Sequence, residues 1–333
     1  MITHLALDGV LEGALGIGID IVDTAAAVAD RTPPRLLFQR VVSLDGEPVR
    51  SGSGRLISVS TGVPMSPGEF GPDDVLVIAG PSAADECRID QLLIRPDTLR
   101  AVELIRHAAA SGATVAASCS ATFVLAASGL LSGRQATTTW WLAPLLSRRF
   151  PDVEVQADRM VIESGKVLTA GAAFAHADLM LALVARLQGA ELAHRVARYL
   201  VLDARMSQSR YMVLEHLRST DPTVRAVERH VTANLDRQLT LTELACAASV
   251  SERTLARRIR AGLGISPMEF VHRLRVRHAA TLLAATRDPV DVIAAAVGYA
   301  DPAAFRRIYR RHTGEAPSST RTRSRAPQTS SGI

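Results

Sequence analysis

The feature that most constrains this chain is a duplication in its C-terminal third. Leu255-x-Arg257-x-Ile259 followed by Gly264-x-x-Pro267 returns as Phe305-x-Arg307-x-Tyr309 followed by Gly314-x-x-Pro317, offset by 50 residues throughout. Upstream, Leu244-Ala245 returns as Ile293-Ala294, one residue closer. A repeat of this kind is one supersecondary unit used twice. Each copy reads as a short apolar helix, a tight turn and a second helix rich in arginine.

The local chemistry of the two copies agrees with that reading. In the first, Thr240 or Thr242 caps a helix through about Ala248, with Glu243 near its positive end. Ser249-Val250 makes the turn, and Ser251 caps a second helix whose Leu255 and Ile259 share a buried face. In the second, Asp288-Pro289 starts a helix with proline at a tolerated first position. Gly298-Tyr299 makes its turn, and Asp301-Pro302 opens a helix that buries Phe305 and Tyr309. Arg253, Ala256, Arg257 and Arg260 fall off the buried face of the first copy, as do Arg306, Arg307 and Arg310 in the second. From Pro267 to about Ala285 runs a long amphipathic helix whose Phe270, Leu274, Leu282 and Leu283 can hold the two copies in fixed relation. Two helices so mounted fit successive major-groove segments roughly 34 Å apart on one face of a duplex.

Charge supports the same segment. The net +5 is uneven: from Asp221 onward 18 Arg stand against 10 Asp and Glu, a balance of +8, and the remainder carries −3. Positive charge gathers where phosphates would be met. Lys166 is the sole lysine, so the number of arginines reflects a general preference for Arg, and their placement carries the argument. A chain of 333 residues predicts two domains. No apolar run approaches the roughly 18 residues that cross a bilayer, and the first residues lack the pattern of a secretory signal. A cytoplasmic protein without a membrane partner is expected. Cys87, Cys119 and Cys246 form no C-x-x-C pair and the nine histidines show no ligand spacing, which predicts no metal, no other cofactor and no disulfide framework.

From roughly Pro222 to Thr322 the chain resembles the AraC/XylS family of transcription regulators, through the Gly298-Tyr299 turn, the aromatic spacing of Phe305 and Tyr309, and the closing Gly314-x-x-Pro317. The resemblance implies an all-α domain with two helix-turn-helix units and places Arg253, Ala256 and Arg257 at base-facing positions of the first recognition helix. Pro302, Ala303, Arg306 and Arg307 occupy those of the second, and Arg258 and Arg310 join the set expected at DNA. Pro302 and Ala303 stand where small polar residues are more common, which shifts the second helix toward backbone contact.

The N-terminal part alternates strand and helix patterns. Strands are expected at 2–7, 36–43, 75–79, 114–117 and 167–169, and helices near 15–29, 96–110, 121–127 and 173–187. This is an α/β pattern: a mostly parallel sheet with helices on both faces, a flavodoxin-like sandwich. One strand end stands out. Thr114-Val-Ala-Ala-Ser-Cys119 leads straight into a helix, the turn that lifts a side chain over a sheet. A thiol at a helix N-terminus is expected to have a lowered pKa. Gly80-Pro81 follows the strand at 75–79 and can offer a backbone N–H nearby. The expected ligand pocket is Gly80, Pro81, Ser118, Cys119, Ser120 and Thr139, with Trp140 and Trp141 as wall or core.

This segment, with Gly129-Leu-Leu-Ser-Gly-Arg-Gln-Ala-Thr-Thr-Thr-Trp-Trp141, resembles the PfpI-type branch of the class I glutamine amidotransferase-like fold. Thr169-Ala-Gly-Ala-Ala-Phe-Ala-His-Ala-Asp178-Leu and Val196-Ala-Arg-Tyr-Leu-Val-Leu-Asp203 extend the likeness to GlxA-type regulators, which join such a domain to an AraC-type one. The departures bear on chemistry. The histidine that often follows the cysteine in PfpI-type hydrolases is Ser120 here. The histidine before the tryptophan in many such regulators is Thr139. Glu12 and Asp20 lie in the region of the expected acidic residue without a clear match. A cysteine nucleophile needs a base and an orienting group, and His176 is better read as a packing residue, so no catalytic residue is assigned and an enzyme is not expected.

The resemblance implies a metabolite-sensing domain over 1–190, a connecting helix and linker over 191–221, a DNA-binding domain over 222–322 and a disordered tail over 323–333. The partners it implies are double-stranded DNA, a small-molecule effector and a second copy of the chain. Two alternatives stay open: a cysteine-dependent amidase or protease joined to a DNA-binding domain, and a regulator whose N-terminal domain only dimerises.

Overall fold

Apolar strand-length runs separated by amphipathic helical stretches dictate the layered first half, and short capped helices the second. The chain divides into two compact units, Met1–Gln208 and Ser209–Ile333. The computed structural model describes residues 1–29, 38–62, 70–203, 205, 207–208, 221–263 and 265–325.

The strands of the first unit are β1 (Ile2–Leu5), β2 (Gln39–Ser43), β3 (Val49–Arg50), β4 (Leu56–Ile57), β5 (Thr61–Gly62) and β6 (Val75–Ile78). They continue with β7 (Thr114–Ser118), β8 (Gln135–Ala136), β9 (Glu154–Val155), β10 (Val161–Ser164) and β11 (Val167–Ala170). Its helices are α1 (Glu12–Val28), α2 (Glu86–Ile94), α3 (Pro96–Ala110), α4 (Ala121–Ala127), α5 (Ala143–Arg149), α6 (Ala175–Gln188) and α7 (Ala190–Tyr199). Seven strands form one sheet in the order β10-β11-β7-β6-β1-β2-β5. All its neighbours run parallel except β10 against β11.

The period of two along β6 sends Val75 and Val77 into one apolar layer with Ile21, Met180 and Val196, and Leu76 and Ile78 into the other with Ile89, Leu104 and Phe123. Both faces are covered, as the near-continuous apolar strands require. Chain order reverses between β1 and β6, so the loops leaving their carboxyl ends diverge there, the usual place for a ligand on such a sheet.

The fold departs from the sequence expectation at several element boundaries. β2 begins at Gln39, with Phe38 outside the strand and residues 36 and 37 outside the described residues, and α1 begins at Glu12 instead of Leu15. The helix expected in the connecting segment, α7, buries Ala193 and Val196 in the layer of α1 and α6, so it belongs to the first unit. Gln208 is also part of that unit: it is buried, accepts from the Ala172 N–H at 3.0 Å and donates to the carbonyls of Thr138 and Arg159 at 3.0 Å each.

The second unit is built from α8 (Pro222–Thr232), α9 (Leu241–Ala247), α10 (Glu252–Leu263), α11 (Pro267–Ala285), α12 (Val290–Ala296), α13 (Pro302–Thr313) and α14 (Pro317–Arg325). Thr240, not Thr242, caps α9: its hydroxyl accepts from the Glu243 N–H at 3.2 Å while Glu243 accepts the Thr240 N–H at 2.8 Å, a reciprocal box. The Ser251 hydroxyl accepts from the Thr254 N–H at the start of α10. Pro289 sits at the N-cap of α12, one place before its expected position. The tail expected to be disordered from 323 begins inside α14, which runs to Arg325 and whose buried Thr320 bonds Tyr309 at 2.8 Å and the Glu315 carboxylate at 2.7 Å; residues 326–333 lie outside the described residues.

Equivalent turns in the two copies both need left-handed backbone, Ser249 at φ 54° and Gly298 at φ 80°. Glycine is mandatory at the second, because a Cβ there would lie 2.3 Å from the Leu235 carbonyl oxygen and 2.8 Å from the Arg275 guanidinium. Arg275, on α11, is 4% exposed. It donates to the Gly298 carbonyl at 3.1 Å and to the Arg237 carbonyl at 2.5 Å, with its guanidinium carbon 5.6 Å from the centre of the Tyr299 ring. One side chain thus ties the loop before α9 to the turn before α13. Removing it orphans two carbonyls at roughly 1–3 kcal/mol apiece. Arg275→Ala should lower the stability of the second unit by about 2–4 kcal/mol in urea unfolding followed by circular dichroism. Arg275→Lys should recover little, because an ammonium lacks the planar fork that spans both acceptors.

Candidate functional site

The two arginine-bearing helices differ in how their side chains are occupied. On α10, Arg253, Arg257 and Arg260 are exposed and have no hydrogen-bond or ion-pair partner among the described residues, while Ala256 is half-buried. Arg253 and Arg257 are one helical turn apart and so share a face. Arg258 is turned to α8: it donates to the Thr223 hydroxyl at 2.6 Å and lies 3.9 Å from the Asp221 carboxylate.

On α13, Pro302 takes the first position and Ala303 is exposed. The Asp301 carboxylate already accepts the N–H groups of Ala303 and Ala304 at 2.8 and 3.1 Å, so two donors of that helix end are satisfied within the chain. Arg306 pairs with Asp291 at 2.5 Å. Arg307 and Arg310 are exposed without a partner among the described residues. The first helix therefore offers more uncommitted charge than the second.

In the first unit the strand-to-helix turn after β7 forms as expected, with Cys119 at φ 59°, a strained conformation for a residue with a side chain. Its N–H donates to the carbonyls of Ala170 and Gly171 at 3.1 and 2.9 Å, and its own carbonyl accepts from the Thr138 hydroxyl at 2.7 Å. Gly80 lets this turn close: a Cβ there would lie 2.7 Å from that of Cys119. The Ser120 hydroxyl donates to the Pro81 carbonyl at 2.5 Å, and Thr139 is buried.

The expected lowering of the thiol pKa is not found. Burial, at 5% exposure, pushes it up to about 11, and the hydrogen bonds at the helix start offset only part of this. The Glu12 carboxylate accepts from the hydroxyls of Ser51 and Ser53, which hold it below the usual carboxylate range.

Behind the turn lie two buried imidazoles. The Ser118 hydroxyl and His176 Nδ1 are 2.9 Å apart, and His4 Nε2 is 2.9 Å from Gln39 Oε1. Desolvation holds His4 at a pKa of about 4 and His176 at about 3, the latter depressed further by His4. His176 Nε2 occupies the space a Cβ on Gly18 would need, 2.8 Å away. It is a packing residue on the α1–α6 contact.

An open cleft of about 390 Å³ lies beside the turn, at the divergence of the β1 and β6 loops. Of the six residues expected to line a pocket, Pro81 alone lines this one. Its other walls include Asp8, Arg50, Ser82, Arg88 and Arg95, none of which stood out in the sequence. These residues come from separate loops, from β3 and from α2, and lack a contiguous motif.

A mostly parallel α/β unit with a strained cysteine turn, joined to paired helix-turn-helix units, defines the class of two-domain regulators, and comparison with known proteins places the chain within it. A DJ-1/PfpI family model matches residues 37–186 and a helix-turn-helix domain model matches 244–323. The HTH-type transcriptional regulator GlxA of Rhizobium meliloti is 32% identical over 232 residues, 68% of this chain and 71% of that one. The HTH-type transcriptional regulator CdhR of Pseudomonas aeruginosa is 30% identical over 301 residues, 88% and 84% of the two chains. A solved Vibrio parahaemolyticus protein assigned as a transcriptional regulator shares the fold of the first unit, with a TM-score of 0.50 at 22% identity, covering 60% of this chain and 97% of that one. The chain belongs to the family of HTH-type transcriptional regulators that join a DJ-1/PfpI domain to an AraC-type DNA-binding domain, and is a regulator, not an enzyme. Among the described residues no helix is long and apolar enough to cross a membrane.

Two expectations follow for the first unit. In the native protein a disulfide reagent at pH 8 should modify the exposed Cys87 and Cys246 at least roughly 100-fold faster than Cys119, since two pKa units remove that much thiolate. Equal rates would show the thiol accessible. The buried histidines make stability depend on pH. Their folded pKa values, about 4 and about 3, lie below the ordinary 6.5. The unfolded chain therefore binds more protons below 6.5, and stability is full above that pH and lost as pH falls toward 4 and then 3. Urea midpoints read by the fluorescence of Trp140 and Trp141 should drop from pH 7 to pH 5, and less steeply in His176→Gln.

Proposed function

We propose that the protein binds a specific double-stranded DNA operator through α10 and α13, as a homodimer, and that a small metabolite bound in the first unit controls this binding. Sensing is assigned to residues 1–190 and DNA binding to 222–322. The observation that carries the DNA reading is the pair Arg253 and Arg257, exposed, one turn apart and without partners among the described residues. They stand on a helix whose opposite face buries Leu255 and Ile259, so the side chains can reach base edges in the major groove while the helix stays fixed. On α13 the Asp301 cap and the Arg306–Asp291 pair leave Arg307 and Arg310 as the ready donors, which favours phosphate contact over base reading there. Arg258, bonded to α8, supports the domain and reaches DNA indirectly.

Metabolite control requires an effector that binds one state of the regulator better than another. The raised thiol pKa of Cys119 speaks against the hydrolase alternative. A first unit that only dimerises would show no ligand-dependent change in operator affinity.

Arg257→Ala should cost about 1–3 kcal/mol of operator binding, measured by fluorescence anisotropy, with a much smaller loss on random duplex. Arg307→Ala should weaken both duplexes alike and lower the salt slope by about one. Equal losses on both duplexes for Arg257→Ala would remove the base-reading role.

A further inference from the structure

The cleft beside Pro81 is built with a rigid floor and a charged wall. Its floor is three loops stitched by backbone: the Gly9 N–H donates to the Arg50 carbonyl at 2.6 Å, Ser82 to Gly9 at 2.7 Å, and Gly52 to Val10 at 2.9 Å. The Arg50 N–H donates to the Asp8 carboxylate at 2.8 Å. The loops also cross closely, since a Cβ on Gly52 would lie 3.0 Å from that of Ser82. Such a floor is fixed before any ligand arrives, which lowers the cost of binding.

Three guanidiniums line the cleft, and they are not equivalent. Arg95 donates to the Asp97 carboxylate and to the Asp8 carbonyl at 2.9 Å, so its charge is matched inside the protein. Arg50 bonds a neutral acceptor, the Gly54 carbonyl at 2.7 Å. Arg88, in the first turn of α2, has no side-chain partner among the described residues. Two positive charges therefore face the cleft without a paired carboxylate side chain, against Asp8 as the opposing charge. Among the lining residues there is no aromatic ring, so a cationic or quaternary ammonium ligand would find no π face. The volume, about 390 Å³, lies at the small end of ligand sites.

We propose that this cleft, held between Arg50 and Arg88 at the β1–β6 divergence, binds a compact organic dianion, either a dicarboxylate or a phosphate monoester, and that this anion is the effector. The inference rests on the metabolite-controlled reading above. Planar guanidinium forks pair with either anion through two parallel hydrogen bonds, and the Ser82 hydroxyl can add a further donor.

The test uses the full chain, titrated calorimetrically at fixed ionic strength with succinate, with glycerol 3-phosphate and with choline. Operator affinity is followed in the same samples. Saturable binding of one or both anions, and none of choline, is the expected result. Arg88→Ala and Arg50→Gln should each weaken it at least about 10-fold, with the ligand-free melting temperature unchanged in Arg88→Ala. Response to succinate alone marks a dicarboxylate, and response to glycerol phosphate alone a phosphate monoester. Absence of binding by both anions up to about 20 mM, weaker than any affinity of consequence, overturns the assignment. Equal binding by wild type and the two variants does so too. If another metabolite shifts operator affinity equally in wild type and both variants, control by a metabolite stands and this cleft is not its site. If an anion binds through the arginines without moving operator affinity, the site stands but its role as effector site falls.

Discussion

A guanidinium with almost no solvent contact has to be held by acceptors in fixed places, and Arg275 has two, one from each half of the DNA-binding unit. Desolvation pulls its pKa below the ordinary value while the charge interaction with Tyr299 counters this in part. A charged group in that position would be costly if either carbonyl moved away. The separation of the two helix-turn-helix copies is thereby set by hydrogen-bond length as well as by the apolar face of α11. Two recognition helices read two groove segments together only if their spacing is stiff, because each loose degree of freedom must be frozen on binding. Gly298 belongs to the same constraint, since its missing Cβ is the room into which the arginine fits.

The first unit holds its strained cysteine turn in surroundings that disfavour a thiolate. Cys119 retains the strained backbone, and Gly80 retains the absence of a side chain that lets the turn close. Burial then outweighs the helix terminus in setting the thiol pKa, and Ser118 bonds a histidine whose own environment keeps it neutral. With its pKa held at about 3, that imidazole is a poor proton acceptor. The positive charge that a ligand could use lies instead one loop away, on arginines carried by β3 and α2.

Much of this was legible from the residues. The repeat, the turn at Gly298-Tyr299 and the i, i+4 burial of Leu255 with Ile259 are local patterns, and local patterns survive folding. The spans of α3, α4 and α11 follow from Pro96, Pro267 and apolar periodicity alone. What escaped were properties that depend on distant partners. The depth of Cys119 is decided by Gly80 and the strand pairing of β11, the engagement of Arg258 by Thr223, and the order of α14 by Tyr309, eleven residues upstream. The cleft is the clearest case: Asp8, Arg50, Ser82 and Arg88 meet because the sheet order brings β1 and β6 together, and no window of sequence contains them all.

On the proposed reading a small binding event in the first unit has to become a change at DNA, and the charge distribution constrains how. The segment from Asp221 carries +8 and the rest −3, so non-specific attraction to phosphate is always present and weakens steeply with salt. An effector that merely altered net charge by one or two would shift specific and random duplexes together and give no switch. Control needs differential affinity between two states of the protein, and a tenfold change in operator binding corresponds to about 1.4 kcal/mol of coupling. A rigid, charged cleft is suited to supply that amount, because one guanidinium–anion pair gained or lost between states is of that size.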